Sequence, residues 1–171
     1  MKRLIGILFA ASLAPAVQAS VGFEFGSQFF FPRIDSTAFG SGYNWTGQGQ
    51  TFQVNWGLDN GIRLGAYTES TDLGDGYGNS YNFSVQEIVI GKEVVKNAAV
   101  LMKLGSFYES YNDVSGLCTD LVGSITLISG SGDKVSGAIK ANLGGRWADN
   151  TGNGGEDWSG WFANLGVEVG I

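Results

Sequence analysis

The stretch "VSGAIKANLGGRW", residues 135–147, alternates almost without a break. Val135, Gly137, Ile139, Ala141, Leu143, Gly145 and Trp147 share one parity, and Ser136, Ala138, Lys140, Asn142, Gly144 and Arg146 share the other. Successive side chains of a strand leave opposite faces of the sheet. One face is therefore apolar, and the other holds small and polar residues with two cations. A chain built from such segments has to turn one face inward, and its function depends on which.

The same rhythm recurs along the chain. At 20–31, Val21, Phe23, Phe25, Phe29 and Phe31 oppose Gly22, Glu24, Gly26 and Gln28. At 51–58, Phe52, Val54, Trp56 and Leu58 oppose Gln53, Asn55 and Gly57. At 61–69, Ile62, Leu64 and Ala66 oppose Arg63, Gly65, Tyr67 and Glu69. The segment 80–94 changes parity: Tyr81, Phe83 and Val85 share one face, Ile88 and Ile90 the other. A bulge near Gln86 and Glu87 would restore a single apolar face. At 98–110, Val100, Met102, Leu104 and Tyr108 oppose Lys103, Gly105, Phe107 and Glu109. Residues 121–129 are the least polar segment, and at 158–171 Trp161, Ala163, Leu165, Val167, Val169 and Ile171 oppose Asn164, Gly166, Glu168 and Gly170.

The connections alternate as well. Residues 32–50, 70–79, 111–120 and 148–157 read as long loops rich in Gly, Asn, Asp and Ser, and 58–61, 94–97 and 129–134 as short turns. Asn60-Gly61 is a strong tight-turn signal. Seven connections join eight strands in up-and-down order, with both chain ends on the short-turn side. An open sheet of eight strands leaves two unpaired edges, and closure removes them. The expected fold is all-β, an eight-stranded antiparallel up-and-down barrel.

The first residues belong to something else. Lys2 and Arg3 precede a short apolar run from Leu4 to Leu13, Pro15 breaks it, and Val17 and Ala19 are small residues at cleavage-site spacing. Residues 1–19 read as a secretory signal peptide, and 20–171 as one domain. The run is too short for a membrane helix, which needs roughly 18 apolar residues.

Three features point the polar face inward, so that the barrel spans a membrane. That face is dominated by Gly, Ser, Asn, Gln and Ala, whereas a solvated face carries about 25–35% charged residues. Only 15% of the chain is charged and 28 of 171 residues are Gly, and small residues suit the cramped lumen of an eight-stranded barrel. Next, the sparse charges balance: Glu24, Glu69, Glu87 and Glu168 against Arg63, Lys103, Lys140 and Arg146. A buried ionic network needs that balance, because an unpaired buried charge is costly. Finally, Trp56, Tyr81, Tyr108, Trp147, Trp158 and Trp161 gather near strand ends, where aromatic girdles meet a membrane interface.

The ending "NLGVEVGI", residues 164–171, resembles the C-terminal assembly signal of bacterial outer-membrane barrels. Asn164, Gly166 and Val169 match it, and Ile171 stands where that signal usually ends in Phe or Trp. With the signal peptide, eight strands and alternating loop lengths, the mature chain resembles the small outer-membrane barrels of the OmpA/OmpX-like class. The resemblance implies an integral outer-membrane location with periplasmic termini. It also implies lipid, lipopolysaccharide and the barrel-assembly machinery as partners.

Chemistry is sparsely provided for. The chain has no His, so a Ser nucleophile would lack its usual base. With a single Cys, Cys118, no disulfide can form within one chain, and no metal site of the His/Cys type is expected. No cofactor is expected either. Without Lys2 and Arg3 the chain carries eight basic residues against 16 acidic ones, which argues against nucleic acid. Asp72, Asp75, Asp149, Glu156 and Asp157 make the loops acidic, but in no complete calcium-loop spacing. "NWT" (44–46) and "NFS" (82–84) match a glycosylation pattern by chance in a bacterial-type chain. The expected role is a plugged, non-enzymatic barrel with structural or surface-interaction duties. The alternatives are a narrow gated pore, and a soluble lipocalin-like periplasmic carrier.

Overall fold

A computed structural model describes residues 20–32, 46–58, 60–74, 78–110, 113–150 and 157–171. The proposed signal peptide lies outside these residues, as do Asp75, Glu156 and the first glycosylation pattern's Asn44 and Trp45. Eight strands follow in order: β1 (Ser20–Pro32), β2 (Thr46–Gly57), β3 (Ile62–Gly74), β4 (Ser80–Val95), β5 (Ala98–Glu109), β6 (Val114–Ser131), β7 (Ser136–Trp147) and β8 (Gly160–Gly170). Each pairs antiparallel with its neighbours in sequence, and β1 pairs with β8 to close the barrel. Closure leaves no edge strand among the described residues, so each strand finds a backbone partner on both sides.

The turns at one end are tight for local reasons. Between β2 and β3, the Gly61 amide donates to the Leu58 carbonyl at 2.9 Å, with Gly61 at φ 75°. Between β4 and β5 only Lys96 and Asn97 intervene, and Asn97 takes φ 69°, a left-handed conformation that Asn tolerates.

Two expected loops are partly strand. β3 runs on to Gly74, and β6 begins at Val114, so half of 70–79 and most of 111–120 belongs to the barrel wall. Gly, Asn and Ser suggested loops there, but closed pairing with β4 and β5 carries those residues into the ladder.

The expected bulge at Gln86 and Glu87 is absent. The β4–β5 register is continuous from Phe83 opposite Glu109 to Glu93 opposite Ala99, and shifts only between Glu93 and Val95. Tyr81, Phe83 and Val85 therefore share the inward face with Glu87 and Val89. Ile88 and Ile90 face out at 58% and 44% exposure. The reason is packing. Phe83 lies against Phe30 at 5.4 Å, Phe107 at 5.4 Å and Trp158 at 6.1 Å between ring centroids. One end of the lumen is thus filled by rings, and an apolar residue on β4 has a place inside as well as outside. A second register shift lies between Thr126 and Ile128 of β6.

Candidate functional site: the barrel lumen

Alternation on each strand sends its even or odd set into the barrel interior, which in an eight-stranded barrel is just wide enough for side chains to fill, so the polar side chains meet one another. β7 supplies the two main cations. Lys140 and Arg146 lie six residues apart on the same inward face and divide the interior into two centres.

In the first centre, the Lys140 ammonium pairs with Glu168 of β8 and stands 3.6 Å from Glu24 of β1. Neutral amides extend it. Asn142 Nδ2 donates to Glu24 Oε1 and to Asn164 Oδ1, both at 2.9 Å. Asn164 Nδ2 donates to Thr51 Oγ1 at 2.9 Å, and Asn55 Nδ2 donates to Glu168 Oε2 at 3.0 Å. Gly166 leaves room for Glu24, since a Cβ there would come within 2.8 Å of Glu24 Oε1.

The second centre is built on a fork. Arg146 Nη1 and Nη2 donate to Glu69 Oε1 and Oε2 at 3.0 and 2.7 Å. Its Nε and Nη2 donate to Asp120 Oδ1 and Oδ2 at 2.9 and 2.8 Å. Neither the guanidinium nor the two carboxylates reach solvent. Thr71 Oγ1 donates to Glu69 Oε1 at 2.6 Å, and the Tyr67 hydroxyl stands 2.9 Å from Glu69 Oε2. The rings of Phe30, Phe83 and Phe162 approach the guanidinium carbon at 4.9 to 5.6 Å. Low-dielectric walls strengthen the charge pairs, and cation–π contact adds to them. Lys103 places its ammonium 3.2 Å from the centre of the Tyr67 ring.

The eight charged residues singled out from sequence are not all in one network. Glu24, Lys140 and Glu168 form the first centre and Glu69 and Arg146 the second, with Lys103 between strands beside Tyr67. Arg63 is half-buried at the short-turn mouth, where it lines an opening of about 240 Å³ with Glu93 and Glu168. Among the described residues it makes no ion pair. Asp120, assigned to a loop on sequence, takes the place expected for a further glutamate. Its alternation with Cys118 and Val122 was the available signal, obscured by neighbouring Gly and Asn. Glu87 is buried, with no hydrogen-bond partner on either carboxylate oxygen.

The aromatic set also divides. Tyr108, Trp147 and Trp161 are exposed on the outer face, and Trp56 is half-buried on it. Trp158 is fully buried against Phe83, and Tyr81 packs against the inner cluster, so these two belong to the interior and not to a girdle. A position near a strand end fits either role, and only the direction of the side chain separates them. At the C-terminus, Asn164 and Gly166 face inward, and Val169 and Ile171 face outward at 41% and 68% exposure.

Much of the outer face is apolar. Leu121, Leu143 and Leu165 on three successive strands are 51%, 62% and 57% exposed. Buried ion pairs within and bare leucines without reverse the arrangement of a soluble protein.

This is a barrel turned inside out.

No family model matches this sequence, and no curated protein matches it. Among solved structures, the outer membrane protein OprG from Pseudomonas aeruginosa is similar at 8% sequence identity and a TM-score of 0.48. The similarity covers 91% of this chain and 97% of that one. Among the described residues no helix is long and apolar enough to cross a membrane, which says nothing of strands. A carrier of the lipocalin type would need an apolar cavity. The space between Glu24, Tyr67, Lys103 and Phe162 is instead only about 10 Å³ and is lined by polar and apolar side chains alike, about the room for one water.

Proposed function

We propose that this protein is an integral outer-membrane β-barrel of a Gram-negative cell envelope, non-enzymatic, with a plugged lumen and a structural or surface-interaction role. The observation that carries the reading is the pairing of opposites across one wall. Arg146, Glu69 and Asp120 are sealed inside, while Leu121, Leu143 and Leu165 stand bare outside. In water those leucines would cost about 25 cal/mol for each Å² left exposed, and in hydrocarbon they cost nothing. The strands are long enough: about 9–11 tilted residues cross a bilayer, and the shortest here, β8, has 11.

The remaining assignments follow from that placement. Short turns and both termini face the periplasm, with the acidic connections outside. Lipid and lipopolysaccharide cover the wall, and residues 164–171 engage the assembly machinery. The test is electrophoresis of the detergent-refolded mature chain, with and without boiling, followed by planar-bilayer recording. A heat-dependent mobility shift with negligible steady conductance is the expected outcome. Folding in plain buffer without a shift would overturn the membrane reading, and a large stable channel would overturn the plug.

A narrow gated pore is the second reading, favoured by the opening of about 240 Å³ that leads from the short-turn end to Glu168, the partner of Lys140. Its gate would be rearrangement of the Lys140 and Arg146 ion pairs.

A further inference from the structure

Three adjacent strands bring together groups that the ion-pair centres do not account for. Glu87 of β4 lies opposite Gly105 of β5, and Gly105 lies opposite Cys118 of β6. Strands two apart are separated by roughly 9.5 Å, and side chains that far apart meet only if the intervening residue stays out of the way. Gly105 does so. A Cβ there would overlap the Gln86 carbonyl, so β4 and β5 approach closely at this point and nothing projects between Glu87 and Cys118. Asp120 follows Cys118 on the same inward face. The thiol, one Glu87 oxygen and one Asp120 oxygen all lie within 4.8 Å of one another, and all three residues are buried.

A further observation shows that this corner is incomplete. Glu87 is only 5% exposed, yet neither carboxylate oxygen makes a hydrogen bond of ordinary geometry, and the group beside it is the weakly donating Cys118 thiol. A buried carboxylate in that condition is expensive and calls for a counter-group.

We propose that Glu87, Cys118 and Asp120 form a buried site for one divalent transition-metal ion of the zinc type. One thiolate and two carboxylates suit a borderline-soft cation and disfavour Mg²⁺ or Ca²⁺, which take oxygen alone. Zinc-to-ligand distances of about 2.0–2.3 Å set tetrahedral ligand atoms about 3.5 Å apart, so side-chain movements of at most about an ångström close the triad. A water completes the coordination. Binding forms the metal–sulfur bond and releases the Cys118 thiol proton to solvent. Asp120 keeps its Arg146 hydrogen bonds and offers a remaining lone pair, and Arg146 holds it in position. Burial in the wall means that the ion enters as the barrel closes.

The experiment refolds the mature chain in detergent with Co²⁺ as the probe, removes loose metal by gel filtration, and measures cobalt per chain and the absorption spectrum. The expected result is one cobalt per chain with a thiolate-to-cobalt charge-transfer band. Cys118→Ser abolishes that band, and Glu87→Gln weakens Co²⁺ binding by at least about tenfold, the lower end of what loss of an outer-shell partner costs. Heat-dependent mobility in cold SDS verifies that each variant has folded, and Glu87→Gln decides the matter if Cys118→Ser does not fold. A folded wild-type barrel without the band overturns the site, as does a band that survives Cys118→Ser or is unchanged in Glu87→Gln. Either failure leaves the membrane reading standing, because mobility and conductance report on that separately.

Discussion

Arg146 and Glu69 meet across the lumen through two parallel hydrogen bonds of 3.0 and 2.7 Å, although 77 residues separate them in the chain. β3 and β7 are not neighbours in the sheet, so this pair spans the interior and ties opposite walls together. Removing the guanidinium leaves two buried carboxylates, Glu69 and Asp120, without their cation. Arg146→Met should cost about 3–5 kcal/mol, measured as a drop in the urea midpoint of the refolded barrel. Arg146→Lys should lie between the two, because it keeps the charge and loses the fork. An unchanged midpoint for Arg146→Met would show that the pair contributes nothing to holding the walls.

The two readings of the lumen separate on one double variant. If the aromatic end blocks passage, Lys140→Ala with Arg146→Ala should leave single-channel conductance near the wild-type baseline, because Phe83, Phe107 and Trp158 remain in place. A marked rise in conductance would favour the gated pore and place its gate at the ion pairs.

Tryptophan reports which face meets lipid. Trp147 and Trp161 are 55% and 52% exposed on the outside, and Trp158 is fully buried. In single-tryptophan variants refolded into vesicles of brominated phospholipid, Trp147 and Trp161 should be quenched strongly and Trp158 weakly. Equal quenching of all three would contradict the placement of the outer face in the bilayer.

The same face should resist charge. Leu165 sits near the middle of β8 and points outward. Leu165→Arg should destabilise the barrel in lipid by about 2–4 kcal/mol, the cost of a cation at mid-bilayer. A soluble barrel would tolerate it within about 0.5 kcal/mol, so equilibrium unfolding in vesicles distinguishes the two.

Two glycines should differ sharply. An alanine methyl at Gly105 meets the Gln86 backbone, which cannot swing aside, whereas at Gly123 the nearest atom is the Leu143 carbonyl oxygen at 3.8 Å. Gly105→Ala should cost about 1–3 kcal/mol by overpacking. Gly123→Ala should be neutral or stabilise by up to about 1 kcal/mol through reduced chain freedom. Urea unfolding of both variants in the same detergent checks the contrast.

What the sequence determined by itself was the strand rhythm and its polarity. Residues 135–147 place Lys140 and Arg146 on one face and Leu143 on the other whatever the rest of the chain does, because the period of a strand is a local property. Eight such segments with short alternate turns leave closure as the means of pairing every edge. Local pattern could not assign Phe83, Trp158 and Asp120. An aromatic ring is equally at home against lipid or in a dry plug, so only the approach of Phe30 and Phe107 decides where Phe83 goes. Asp120 sits in a stretch whose composition resembles a loop, and its role comes from Arg146 on the neighbouring strand and Glu69 across the lumen. The Glu87, Cys118 and Asp120 corner is likewise a matter of register across β4, β5 and β6. Distances between strands depend on how the whole barrel closes, and no local stretch of sequence contains them.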